Sequence, residues 1–343
     1  MKLQNFALGF IALILAFYIL LIGKSILIPL IIAIIIWYII ITLTSTYKKI
    51  GTKSWHIPHW LALILSLASF AFIAWLFIGF VNNSVNDVIQ AAPTYQAKFQ
   101  NIINGLNNKF NLQEKITFNQ IIEYINFSTL ATTAAGIITT VAGFTSMIII
   151  YVIFLLLEYH TFDWKIRALF PDKKRRLETE ELIQKISKDI NTYIKIKTFV
   201  SVLTGLACYI ILLLMGVQFA GFWAVLIFIL NYIPNVGSLI AVVLPVLFAI
   251  VQFDFTHAII LAALLTAVQM TIGNFLEPRL MGKSLNLSPL VIIISLVVWG
   301  SLWGIVGAFL CVPIMVILNI ILAKFNSTRP IAILLSSKGE LES

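Results

Sequence analysis

A chain that repeatedly runs for about 18 or more residues with few charges has few ways to fold, because such a run crosses the roughly 30 Å hydrocarbon layer of a bilayer as one helix. Apolar runs recur along this sequence near residues 6–22, 26–42, 60–81, 137–157, 198–215, 221–233, 237–251, 256–276, 287–302 and 304–323, some of them full spans and some short arms. Inside lipid every backbone polar group needs an internal partner, which leaves helices and closed barrels. Barrel strands alternate apolar and polar residues, whereas these runs are unbroken Ile, Leu, Val and Phe. Hydrophobic residues make up 60% of the chain and charged residues 11%, far from the roughly one quarter charged that is usual in soluble domains. The predicted fold is an all-α, polytopic integral membrane protein, with about seven to eight transmembrane helices plus a re-entrant or broken helical hairpin.

Charge sets the orientation. The formal charge is +9, but the basic residues gather between apolar runs, a bias that marks cytoplasmic loops and argues against a nucleic-acid partner. Residues 43–59 carry Lys48, Lys49 and Lys53 without an acid, whereas 82–136 balance Lys98, Lys109 and Lys115 against Asp87, Glu114 and Glu123. Residues 158–197 hold Lys173, Lys174, Arg175 and Arg176 in succession, with Lys195 and Lys197 at the far end. Arg279, Lys283, Lys324, Arg329 and Lys338 follow. With 82–136 outside and the other stretches inside, both termini are cytoplasmic. No small-residue cleavage site separates the first run from the second at Ser25, so a removable signal peptide is not expected. Cys208 and Cys311 lie within apolar runs and read as packing residues.

The expected organisation is N-terminal transmembrane helices (1–81), an extracytoplasmic amphipathic helical insert (82–136), a transmembrane helix (137–157), a basic cytoplasmic helical loop (158–197), a C-terminal transmembrane core (198–323) and a cytoplasmic tail (324–343). In the insert, Tyr95, Phe99, Ile102, Leu106 and Phe110 share one helical face. Such a helix lies on the membrane surface or on the ends of the spans, and a substrate-gathering lid is the alternative. Ile183, Ile186, Ile190 and Tyr193 recur likewise, predicting a helix from near Leu177 into the span that begins near Thr198.

Within the core, residues 221–251 form two apolar arms separated by Asn231, Tyr232, Ile233, Pro234, Asn235, Val236, Gly237 and Ser238. The first arm reaches only about 20 Å, which favours a re-entrant hairpin over two spans. Pro234 gives no backbone hydrogen bond and Gly237 permits unusual or close-packed backbone, so the helix breaks here. Peptide groups freed at membrane depth are tolerated when buried in protein or lining a water-filled cavity. A simple proline kink between tilted helices is the competing reading.

On the following span Ala262, Thr266, Gln269, Gly273 and Glu277 recur at helical spacing as a small and polar stripe, expected to face the bundle interior. Thr266 and Gln269 either bond a neighbouring helix or contact a solute. Glu277, expected to end that helix before Pro278, either pairs with Arg279 or Lys283 or takes and releases a proton. Ser201, Thr204, Gly205 and Cys208, like Gly300, Gly304 and Gly307, read as close helix packing, and Asp254 and His257 as ordinary turn residues. No phosphate-binding Gly-rich loop and no hydrolase or metal-ligand motif is present, so neither ATP-driven pumping nor an enzyme or cofactor is expected.

Several ordered motifs carry a family resemblance: residues 231–237 with Pro245, residues 274–290 running from Asn274 through Glu277-Pro278-Arg279 and Gly282 to Leu290, and Trp299-Gly300, Gly304, Gly307 and Val312-Pro313. Together they resemble the autoinducer-2 exporter family of permeases over nearly the whole chain. The resemblance implies a multi-pass bacterial inner-membrane transporter that forms homo-oligomers. It also implies functional weight at Pro234, Asn235, Gly237, Glu277, Pro278, Arg279 and Gly282. Relatives commonly carry a Gly-Gln pair where the cytoplasmic helix enters that span, whereas Tyr193-Ile194 is followed here by Lys195, Ile196 and Lys197, and the two lysines make the entrance more cationic. The expected path residues are thus Asn231, Pro234, Asn235, Gly237, Ser238, Thr266, Gln269, Gly273, Glu277, Arg279 and Gly282. Three functions are compatible with them: a secondary exporter of a small polar solute, a monovalent cation/proton antiporter, and a non-transporting membrane scaffold.

Overall fold

The fold is taken from a computed structural model, described for residues 2–49, 51–52, 55–110, 127–159, 161–282 and 286–339. Helices α1 (Lys2–Ile22), α2 (Lys24–Lys49), α3 (His59–Phe110), α4 (Phe127–Glu158), α5 (Phe162–Leu169) and α6 (Lys173–Leu214) come first. They are followed by α7 (Ala220–Leu230), α8 (Val236–Gln252), α9 (Phe255–Gln269), α10 (Glu277–Met281), α11 (Pro289–Lys324) and α12 (Arg329–Leu335). A π-helical segment, Met270–Leu276, joins α9 to α10. A two-residue antiparallel ladder, β1 (Gly51–Thr52) on β2 (Trp55–His56), turns the chain between α2 and α3. Among the described residues, five stretches are long and apolar enough to cross a membrane: Lys24–Lys49, His59–Ala91, Lys173–Leu214, Phe255–Met281 and Pro289–Lys324. Shorter apolar helices accompany them at Leu8–Ile22, Gly143–Glu158, Ala220–Leu230 and Val236–Gln252. The class read from the apolar runs, all-α and polytopic, is the class found.

Two helices run across the boundaries of the expected segments. α3 runs unbroken from the expected span at 60–81 into the expected insert, and α6 carries the basic loop into its span, as the spacing of Ile183, Ile186, Ile190 and Tyr193 predicts. Of the insert's apolar face, Tyr95 is buried. The side chains of Phe99, Ile102, Leu106 and Phe110, and residues 111–126, lie outside the described residues.

α11 folds back on itself. Ser295 Oγ donates to the Cys311 carbonyl at 3.1 Å across 16 residues, whereas a straight helix would hold the two about 24 Å apart. The reversal falls at Gly304, whose φ of 63° and ψ of −141° belong to backbone that essentially only glycine adopts. Close to it, a Cβ on Gly307 would lie 1.8 Å from the Trp299 carbonyl oxygen.

The chain divides into two compact units. In the first (Met1–Phe77, Thr140–Lys185 and Ile294–Ile314), Ala33 and Ile40 of α2 pack with Ile148 and Val152 of α4, and with Leu63 and Phe70 of α3. Thr44 donates to Ser66 at 3.1 Å, and Trp303 Nε1 donates to the Leu20 carbonyl near the end of α1 at 2.9 Å. In the second (Ile78–Thr139, Ile186–Ile293 and Met315–Ser343), one core joins Leu212 of α6, Trp223 and Ile227 of α7, Phe248 of α8, and Leu261 and Leu265 of α9. Val81, Val85 and Tyr95 of α3 belong to the same core. The Tyr95 ring packs tilted against Phe248 with centroids 4.5 Å apart, its hydroxyl bonds Gln218, and burial raises its pKa above the usual tyrosine value. Cys208 and Cys311 are both buried and unbridged. Asp254 caps α9 by accepting from the His257 N–H at 2.8 Å, and that bond holds its carboxyl below the usual range.

Candidate functional site

The first turn of α6 within the membrane region, Lys197 to Ser201, organises the polar groups of the second unit. Asn231 Nδ2 donates to Ser201 Oγ at 3.0 Å, and the Tyr232 hydroxyl donates to Thr198 Oγ1 at 2.9 Å. Lys197 Nζ lies 2.5 Å from Glu277 Oε1. Three neighbouring positions on one helix therefore hold both the break between α7 and α8 and the carboxylate beyond α9. All three pairs set polar atoms against each other, which offsets part of the cost of taking them out of water in an apolar bundle.

The break itself forms where Pro234 and Gly237 predict it. α7 has 11 residues, about 16 Å of rise and well short of a bilayer. Asn235, with φ 56° and ψ −53°, is the centre of a γ-turn closed by Val236 N–H on Pro234 O, and its own carbonyl accepts from Ser238 Oγ at 2.9 Å. Gly237 is required by close approach, since a Cβ there would stand 1.8 Å from the Leu230 carbonyl oxygen. Contrary to the expectation of freed peptide groups, much of the backbone at the break is bonded locally. Ile233 N–H donates to Leu230 O at 2.9 Å, Val236 N–H to Pro234 O at 2.5 Å and Gly237 N–H to Ile233 O at 3.2 Å. The turn is tight enough to use its own carbonyls, so its polar surface comes from side chains. Asn231 is buried, whereas Asn235 is exposed.

The expected stripe on the next span is corrected. Thr266 is exposed, and the buried line runs through Leu261, Leu265, Gln269 and Ile272. Gly273 and Glu277 are half-buried, and Arg279 is exposed. Thr266 lies ahead of the π-helical segment, whose wider turn shifts the phase of the later positions, Gly273 and Glu277, relative to an α-helical count. Glu277 does not end the helix. Its N–H bonds Ile272 O five residues back, and α10 continues to Met281. The π register opens the ladder just ahead of Pro278, which has no N–H to offer and whose ring crowds the carbonyl four residues back. The helix stops at Gly282, with φ 55° and ψ −125°.

The predicted partners of Glu277 are corrected as well. The carboxylate meets Lys197, not Arg279, and Lys283 lies outside the described residues. The cationic entrance predicted from Lys195 and Lys197 reduces to Lys195, which is exposed, because Lys197 is buried in its ion pair. Sequence reasoning assigned Ser201 to packing and gave Thr198 no role. Their signal was Lys197, Thr198 and Ser201 clustered in one turn at the start of an apolar span.

Gln269 differs from these paired groups. It is 7% exposed, and neither its Oε1 nor its Nε2 has a hydrogen-bond partner. A buried amide left with one donor group and one acceptor unused is costly, and a polar ligand or water would complete it. It also sits at the onset of the π-helix, a distortion that recurs at functional sites.

Long apolar helices, two helical hairpins and a buried polar cluster define a multi-pass helical membrane protein. The sequence pattern described as AI-2E family transporter matches residues 9–327, and the chain belongs to that family. It is 29% identical over 318 residues to the AI-2 transport protein TqsA of Escherichia coli K12, covering 92% of this chain and 90% of that one. It is 32% identical over 293 residues to a candidate transport protein of Haemophilus influenzae, covering 83% of each chain.

Proposed function

We propose that this protein is a secondary, ATP-independent exporter of a small polar solute, with autoinducer-2 or a chemically similar metabolite as cargo. The observation that carries the reading is the α6 turn from Lys197 to Ser201, which gathers the hairpin tip and Glu277 into one polar cluster within an apolar bundle. Discontinuous helices of this kind recur at solute sites in secondary transporters, where two halves move about a fixed site to expose it alternately. The unpartnered amide of Gln269 supports a solute that both donates and accepts hydrogen bonds. The similarity to an AI-2 transport protein along 92% of the chain supports the named cargo.

In this reading the path residues are Asn231, Pro234, Asn235, Gly237, Ser238, Thr266, Gln269, Gly273, Glu277, Arg279 and Gly282. The protein is placed in the bacterial inner membrane with residues 82–136 outside and both termini inside, following the distribution of basic residues. It assembles as a homo-oligomer, supported by Gly273 and Gly300, which offer open, small-residue helix surface for close approach. Comparison of metabolites retained by cells with and without the gene, followed by flux of the retained solute in proteoliposomes, tests the function. A solute retained without the protein and moved by the purified protein is the expected result; no difference for any solute class would return the scaffold reading. A cation/proton antiporter is the second reading, and it turns on Glu277, a half-buried carboxylate near the end of a span.

A further inference from the structure

Cation–proton exchange on this chain would turn on Glu277, and Glu277 is already occupied. Lys197, eighty residues earlier, places its ammonium 2.5 Å from Oε1, and the two side chains are 7% and 16% exposed. We infer that Lys197 is a tethered cation filling the cation position beside Glu277, so that this protein carries no sodium or other alkali ion on that carboxylate. The inference deepens the export reading by excluding a class of cargo, and it rests on that reading for placing Glu277 on the path.

Three physical arguments converge. A cation fixed on a neighbouring helix competes at an effective concentration well above that of a free ion. Its desolvation cost is met when the protein folds, whereas an incoming sodium ion would shed its own water at the moment of binding. Seating a second cation beside one carboxylate would leave a net positive charge in a low-dielectric interior, which is strongly unfavourable. The charged residues nearest in sequence, Lys195 on α6 and Arg279 on α10, are both basic and exposed, so neither supplies a second carboxylate.

Radiosodium binding to the purified full-length protein tests this. Wild type should bind no more than the charge-free variant Lys197→Met/Glu277→Leu, and Lys197→Gln should gain binding by about tenfold or more. That gain should vanish when Glu277→Gln is added. Saturable sodium binding by wild type above the charge-free variant would overturn the inference, as would a folded Lys197→Gln that gains none. A second measurement uses wild type alone: acylation of Lys197, followed by mass spectrometry, in sodium chloride against choline chloride at matched ionic strength. Equal rates are expected, and a several-fold rise in sodium would show the ammonium displaced and overturn the assignment. These readouts need no flux, so a failure to export any solute would count against the proposed function while leaving the role of Lys197 standing.

Discussion

At Glu277 and Lys197 the difference between losing one partner and losing both is the informative quantity. Glu277→Gln leaves a buried ammonium unpaired and is expected to destabilise the protein by about 3–5 kcal/mol, whereas Lys197→Met/Glu277→Leu should be close to neutral. Thermal unfolding in detergent checks both, and a mild effect of the single variant would mean that the pair opens to water. Flux measured on Glu277→Gln alone therefore mixes folding with transport, and the double variant is the cleaner background. Gln269→Leu has the opposite signature. Removing an unsatisfied amide from a buried position should raise stability by about 1 kcal/mol, while solute flux falls. A loss of stability would show that the amide has a structural partner after all. Gly237→Ala drives a Cβ into the Leu230 carbonyl, and about 3 kcal/mol or more of destabilisation is expected.

At the scale of elements, the two breaks are alike in their chemistry. In the α7–α8 hairpin and in α11, a glycine past the turn presses against the carbonyl of a residue before it, Leu230 in one case and Trp299 in the other. Both reversals therefore depend on an absent side chain at the point of closest approach. The reversal in α11 has a direct check. Ser295→Cys, placed opposite native Cys311 in a background lacking Cys208, should be joined in high yield by a short thiol crosslinker and recovered as one linked peptide. A straight helix would keep the two sulfurs about 24 Å apart and give no product. The break at Pro234 was legible because proline removes a donor and biases the preceding residue. The π-helical segment was not, because its sequence, Met270 to Leu276, differs little from an ordinary apolar helix turn.

For the whole molecule, labelling decides orientation. Gln100→Cys and Arg175→Cys, each alone, should react with an impermeant thiol reagent from opposite faces of the membrane, the first from outside and the second only after permeabilisation. Reaction of both from one side would overturn the proposed topology. The long apolar runs and the clustering of lysine and arginine determined by themselves that this chain is helical and polytopic, because backbone groups in hydrocarbon are satisfied only in helices or closed barrels and unbroken apolar runs do not alternate as barrel strands do. Composition also placed the hairpin break and drew attention to Gln269 and Glu277. Only the tertiary structure decided which residues meet. Lys197 finds Glu277, and Ser201 and Thr198 find Asn231 and Tyr232, across separations of 80, 30 and 34 residues. Helical periodicity reports which face a residue shares with its own neighbours, but the choice of partner depends on how helices pack and on a π register that shifts every later position. Those are properties of the assembled bundle.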